Sequence, residues 1–128
     1  MSSFPMFGPS NARQTPRLKL PAAYTLVRVR PQGAERFELT GYIYDISSTG
    51  MRFELDESLA PGTQVQVKAM LPGAAHTTFT ASGRVIRLHD DDGLPGPVRM
   101  GMTFDSFETE IDALRLNRYL SAASRQAA

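Results

Sequence analysis

The densest chemistry in the chain lies in Asp45-Ile46-Ser47-Ser48-Thr49-Gly50, which crowds a carboxylate, several hydroxyls and a glycine into one short stretch. Asp, Ser and Gly also build ordinary turns, because the side chains cap backbone amides and Gly accepts positive φ. A tight hairpin, however, is usually served by two residues such as Asn-Gly. The surplus groups suit a planar ligand with adjacent N–H donors, since one carboxylate accepts two of them in parallel. The second candidate group is Arg13-Gln14-Thr15-Pro16-Arg17. Pro16 stiffens this segment and disfavours a helical conformation at Thr15. Two guanidinium groups held in this way fork onto phosphate oxygens or the O6/N7 edge of a guanine, or stack on a base. The plain alternatives are a structural hairpin and two solvated arginines on a tail.

The elements that must position these groups read mostly as strands. Met1 to Ser10 holds Pro5, Gly8 and Pro9 and has no period, so a flexible tail is expected over residues 1–10. A single domain is expected over 11–128. Alternation of apolar and polar residues predicts strands over about 23–30, 36–46, 51–55, 64–71, 77–88 and 98–104. The second of these carries apolar bulk on both faces, which suggests cover on both sides near its end. The alternation slips at Val85-Ile86, where a bulge is expected. Asp105-Ser106 reads as a helix cap, with Glu108 and Glu110 in the first turn of a helix over about 107–124. Six short antiparallel strands followed by one helix predict an all-β fold, a six-stranded antiparallel barrel with one C-terminal helix.

Composition narrows the function. At 128 residues the chain is one domain's worth, with a real core but no room for two. Basic and acidic residues number 14 and 13, so no global field draws it to nucleic acid or a membrane, and any anion site is local. The chain has no cysteine, which removes disulfides, thiolate metal sites and a thiol nucleophile. No apolar run reaches the length of a membrane span, and Met1 to Ser10 lacks the basic and apolar blocks of a signal peptide, so a cytoplasmic location is expected. His76 and His89 stand isolated, and Asp90-Asp91-Asp92 lacks the spaced ligands of a calcium loop. No metal site, cofactor or catalytic constellation is expected. Tyr42 and Tyr44 beside Phe37 are a weaker candidate for a single-strand stacking platform, without an accompanying basic groove.

Taken in order, Arg-x-x-x-Arg, one strand and most of a second, then Asp-x-Ser-x-x-Gly resembles the PilZ domain family. Gly101, Met102 and Phe104 also resemble the family's last strand. The resemblance covers nearly everything from Arg13 to the helix. It implies a small bacterial barrel that, in many members, is a non-enzymatic receptor for cyclic di-GMP. It further implies that Arg13 and Arg17 grip guanine and phosphate, Asp45 holds a guanine edge, Ser47 assists, and Gly50 lets the backbone approach closely. Ala12 stands where many members carry a further arginine, which bears on affinity or ligand stoichiometry. The expected action is ordering of the N-terminal arm by the ligand and signalling to a protein partner. The alternative is an adaptor of the same fold that binds no nucleotide and acts by protein contact. In the final helix, Phe107, Ile111 and Leu114 form one apolar stripe, with Ala113, Leu116, Leu120 and Ala123 roughly opposite. Apolar residues on two sides suggest a partner surface, and Leu116 and Leu120 are its candidates.

Overall fold

The computed structural model describes residues 17–73, 75–86 and 98–127. The 1–10 tail, Arg13, His89 and the Asp90–Asp92 run lie outside them. The elements are β1 (Leu18–Lys19), β2 (Leu26–Pro31), β3 (Leu39–Ile46), β4 (Gly50–Leu55), β5 (Gln64–Met70), β6 (Thr78–Ile86), β7 (Val98–Phe107) and α1 (Glu110–Ala127). All strand pairs are antiparallel, in the order β3-β2-β5-β6-β7-β4, and β4 pairs back onto β3. This is a closed six-stranded barrel with one C-terminal helix. Closure leaves no free edge on those strands. The extra strand, β1, adds to β3 at Ile46 and Asp45, past the point where β2 stops pairing at Gly41. The first long strand is shorter at its start than expected, because Ala22–Tyr24 forms a 3-10 turn.

The inward half of each alternation makes the core. Val27, Val29, Phe53, Val67, Phe79, Ala81 and Val85 are buried there. Two bulges break the alternation at one end of the barrel. Ile43 pairs with Phe53 but Asp45 pairs with Arg52, so Tyr44 is an extra residue on β3. Both Ile43 and Ile46 therefore point inward, although three positions apart. The apolar bulk on both faces of this strand is a change of phase, not a double cover. Likewise Ser82 pairs with Ser106 while Gly83 pairs with Phe104, which makes Asp105 the extra residue on β7. The second bulge thus lies opposite Ser82-Gly83 and not at Val85-Ile86. It lets Phe104 and Phe107 meet Phe79, with ring centroids 5.8 and 6.1 Å from that of Phe79.

The longer β7 also moves the helix start. Asp105 and Ser106 remain in the strand, and the cap is Thr109. Its Oγ1 accepts from the Asp112 amide at 3.2 Å, while an Asp112 carboxylate oxygen accepts from the Thr109 amide at 3.1 Å, a reciprocal capping box. The other Asp112 oxygen accepts the Thr80 amide of β6 at 2.8 Å, so the cap also ties the helix to the barrel. Farther along, the Tyr119 hydroxyl donates to the Pro72 carbonyl at 2.8 Å. The expected partner face needs correction. Leu116 is 0% exposed and part of the core, and Leu120 packs partly against it, because this stripe covers the barrel end. Among the described side chains of α1, the exposed large apolar ones are Ile111 and Leu114, at 58% and 47%.

Candidate functional site

The turn after β3 is built from its own side chains. The Ser47 amide donates to the Gly50 carbonyl at 2.9 Å. The Ser47 hydroxyl accepts from the Thr49 amide at 3.2 Å and lies 3.2 Å from the Thr49 hydroxyl. Ser47 is fully buried, so its hydroxyl braces the turn from inside. Ser48 is exposed. The turn is fastened to β7, where the Phe104 amide donates to the Thr49 carbonyl at 2.8 Å. Gly50 has a steric reason to be glycine: a Cβ there would sit 2.3 Å from the Met102 carbonyl oxygen across the β4–β7 pair. The close approach it permits in this structure is between strands.

Asp45 points outward beside this turn, because the Tyr44 bulge resets the phase of β3 just before it. β1 brings the basic segment alongside, with Lys19 opposite Asp45 and Leu18 opposite Ile46. The Leu20 amide extends the contact by donating to the Tyr44 carbonyl at 2.9 Å. As a result Arg17 reaches Asp45 across the intervening sequence. Its Nε donates to Asp45 Oδ1 at 2.7 Å, and the terminal Nη2 lies 2.7 Å from the same oxygen. The second oxygen, Oδ2, is 3.9 Å from Nε of Arg52. The Asp45 side chain is 14% exposed and the Arg17 side chain 37%. A largely covered carboxylate flanked by two guanidinium groups is a polar locus able to hold a ligand carrying both donors and anionic oxygens.

The structure therefore joins Arg17, Asp45 and the Ser47–Gly50 turn, while Arg13 lies outside the described residues. Arg52 was not singled out in the sequence. It reads there as the polar half of the Met51-Arg52-Phe53 alternation, and the register places it opposite Asp45. Next to it, the Tyr44 hydroxyl donates to the Glu54 carboxylate, and Arg99 lies over the Tyr44 ring at 4.8 Å. These contacts engage Tyr44 within the sheet. Phe37 instead carries two cations, Arg30 at 5.0 Å and Lys68 at 4.6 Å from its centroid. Among the described residues no cluster of His, Asp and Glu could hold a metal ion. No described helix is long and apolar enough to cross a membrane.

Comparison with known proteins adds the family. No curated protein matches the chain in sequence. Among solved structures, the inhibitor of motility MotI/DgrA of Bacillus subtilis superposes with a TM-score of 0.65 at 19% identity, over 91% of this chain. The chain spans only 52% of that structure. The PilZ domain of YcgR from Escherichia coli, solved with c-di-GMP, superposes with a TM-score of 0.60 at 19% identity, covering 90% of this chain and 93% of that one. Both likenesses are of fold. The PilZ domain family model matches residues 11–122, which span the basic segment, the closed barrel and most of α1. With its sequence match and its barrel in agreement, the chain belongs to the PilZ domain family.

Proposed function

We propose that this protein is a cyclic di-GMP receptor that changes its contacts with a protein partner when the nucleotide binds. The observation that carries this reading is the convergence of Arg17 on Asp45 at 2.7 Å, beside the Ser47–Gly50 turn. The fold it shares with the c-di-GMP-bound domain of YcgR supports it. In this reading Asp45 accepts the N–H edge of a guanine, and Arg17 and Arg13 take phosphate and base. Ser47 acts by keeping the turn in shape, and Gly50 by allowing the β4–β7 contact that anchors it. Binding is then an exchange of partners. Arg17 leaves Asp45 for the ligand, and the carboxylate so freed receives the guanine. The segment carrying both arginines closes over the nucleotide and alters the surface offered to a partner in the cytoplasm.

Ordering that segment costs conformational entropy, which charge-assisted contacts must offset. Loss of one such contact is expected to cost on the order of 2 kcal/mol, or roughly thirty-fold in affinity. Titration calorimetry with cyclic di-GMP tests the proposal, using Arg17→Ala and Asp45→Ala as the informative variants. Saturable heat that weakens in both variants is the expected result. Absence of heat and of amide chemical-shift change at tens of micromolar ligand would sink the receptor reading. The remaining reading would then be an adaptor that works without nucleotide. Ala12, in place of a further arginine, and the Arg17–Asp45 pair already made within the fold are the features that favour it.

A further inference from the structure

The barrel wall is electrically divided. The consecutive strands β2, β5 and β6 carry Arg28, Arg30, Lys68 and Arg84, and no carboxylate. All four lie on the outward half of the alternation, and Arg28, Lys68 and Arg84 are exposed. Arg28 stands directly opposite Lys68 in the β2–β5 register, while Arg30 follows two residues along on the same face. Among the described residues, Glu35 and Glu38, the acidic residues that follow β2 most closely, form no ion pair with this wall. In a chain with a net charge of only +1 this is a marked segregation.

The wall is also shaped. Arg30 and Lys68 are both set over the Phe37 ring, and Arg30 Nη2 donates to Gln66 Oε1 at 2.5 Å, which holds long side chains in place. Beside Arg30 opens a cleft of about 340 Å³, lined by Gln64, Gln66 and Ser82 among others. The Nε and Nη1 groups of Arg30 have no acceptor among the described residues. Val29 pairs with Leu39 at the start of β3, so this cleft and Asp45 are about 20 Å apart along the barrel at roughly 3.3 Å per residue.

We infer that the outer face of β2, β5 and β6 is a docking surface for an extended acidic segment of a protein partner, with one carboxylate entering the cleft at Arg30. Charge complementarity and spacing select this occupant. Alternate residues of an extended chain repeat at roughly 6.6 Å, the same interval that separates Arg28 from Arg30 along β2. The uncharged groups between the cations, from Gln64 and Gln66 to Thr80 and Ser82, match the mixed donors and acceptors of a polypeptide. A single-stranded nucleic acid would ask for a run of open rings; Phe37 already carries two cations, and Tyr42, on β3 beside β2, is a single exposed ring. An anionic membrane would ask for several projecting apolar side chains among the cations, and Ile86 is the one large apolar side chain exposed among the described residues of these three strands.

The test uses the whole protein without nucleotide, so its outcome does not depend on the receptor reading. A fluorescent peptide of alternating Glu and Ser is titrated by anisotropy, and its footprint is mapped by amide chemical shifts. The expected result is saturable binding with shifts on β2, β5 and β6, weakened about tenfold or more by Arg28→Glu with Lys68→Glu. Arg115→Glu with Arg118→Glu, on exposed helix positions, leaves the affinity unchanged. Thermal melts check the fold of each variant, and Arg84→Glu serves as a single reversal if the double one unfolds. The proposal is overturned by no binding, by shifts elsewhere, or by undiminished affinity in the reversals. It is equally overturned if an oligo-dT strand or phosphatidylserine vesicles bind more tightly through the same residues.

Discussion

The two halves of the barrel wall handle charge in opposite ways. On β3, β4 and β7, every charge except the bulge residue Asp105 engages a side-chain partner: Asp45 with Arg17 and Arg52, Glu54 with the Tyr44 hydroxyl, and Arg99 over the Tyr44 ring. On β2, β5 and β6, the cations meet a phenylalanine ring, an amide, or no described partner at all. The first half also holds both bulges and the glycine contact that seats the turn. The contrast separates a wall built to position a site from a wall left with unmatched charge. Strength of packing and availability for binding need not coincide on one barrel.

Perturbing the built half should do the most harm to folding. Gly50→Ala drives a methyl group into the Met102 carbonyl, and a loss on the order of 3 kcal/mol is expected in chemical denaturation. A variant as stable as the parent would show that β4 and β7 separate easily, and the contrast would collapse. Outside both halves, Asp112→Ala on α1 removes an acceptor shared by the Thr80 and Thr109 amides, and should cost about 2 kcal/mol in the same assay. Asp45→Asn sharpens the picture by dividing function from folding. Nucleotide affinity should fall roughly thirty-fold, while stability changes by less than about 1 kcal/mol, because its ion pairs are partly exposed.

Smaller effects test the other elements. Burial pushes the Tyr119 phenol above its ordinary value of 10.0, so the folded state favours the neutral form. Its contribution is fully present below that value and declines as pH rises past it. Tyr119→Phe should flatten this alkaline decline and cost about 1 kcal/mol at neutral pH through the lost bond to Pro72. Least of all, Arg84→Gln on the unmatched wall should leave stability within about 0.5 kcal/mol. A larger loss there would mean that this wall, too, is held by its charges.

Strand faces were legible in the sequence because a pleated strand with one wet side must alternate. The inward sets Met51-Phe53-Leu55 and Val65-Val67-Ala69 are buried as read. Bulges were not legible, since Tyr44 and Asp105 are unremarkable strand residues and only the partner's register reveals them as extra. The helix cap was misplaced for the same reason: Asp105-Ser106 has the chemistry of a cap, and the bulged strand carries it past the helix start. The two apolar stripes of α1 were visible, but which of them faces the barrel depends on the Thr109 cap and its tie to Thr80. The approach of Arg17 to Asp45 was legible as an ordered pair of motifs. Arg52 and the cationic wall were not, because β2, β5 and β6 become neighbours only through the order of the closed sheet.

The brevity of β1 has a consequence for rates. Its two residues and the Leu20 amide are the few backbone contacts that lay the Arg17 segment on β3. So small a cooperative unit opens at a fraction of the global unfolding free energy. Exchange of the Leu20 amide with solvent deuterium therefore acts as a clock for that opening, separate from the exchange of core amides such as Phe53. If a ligand enters only when the segment is lifted, the measured association rate saturates at the opening rate, however high the nucleotide concentration. The lifting of this short segment would then set the upper bound on how fast the domain can respond to a signal.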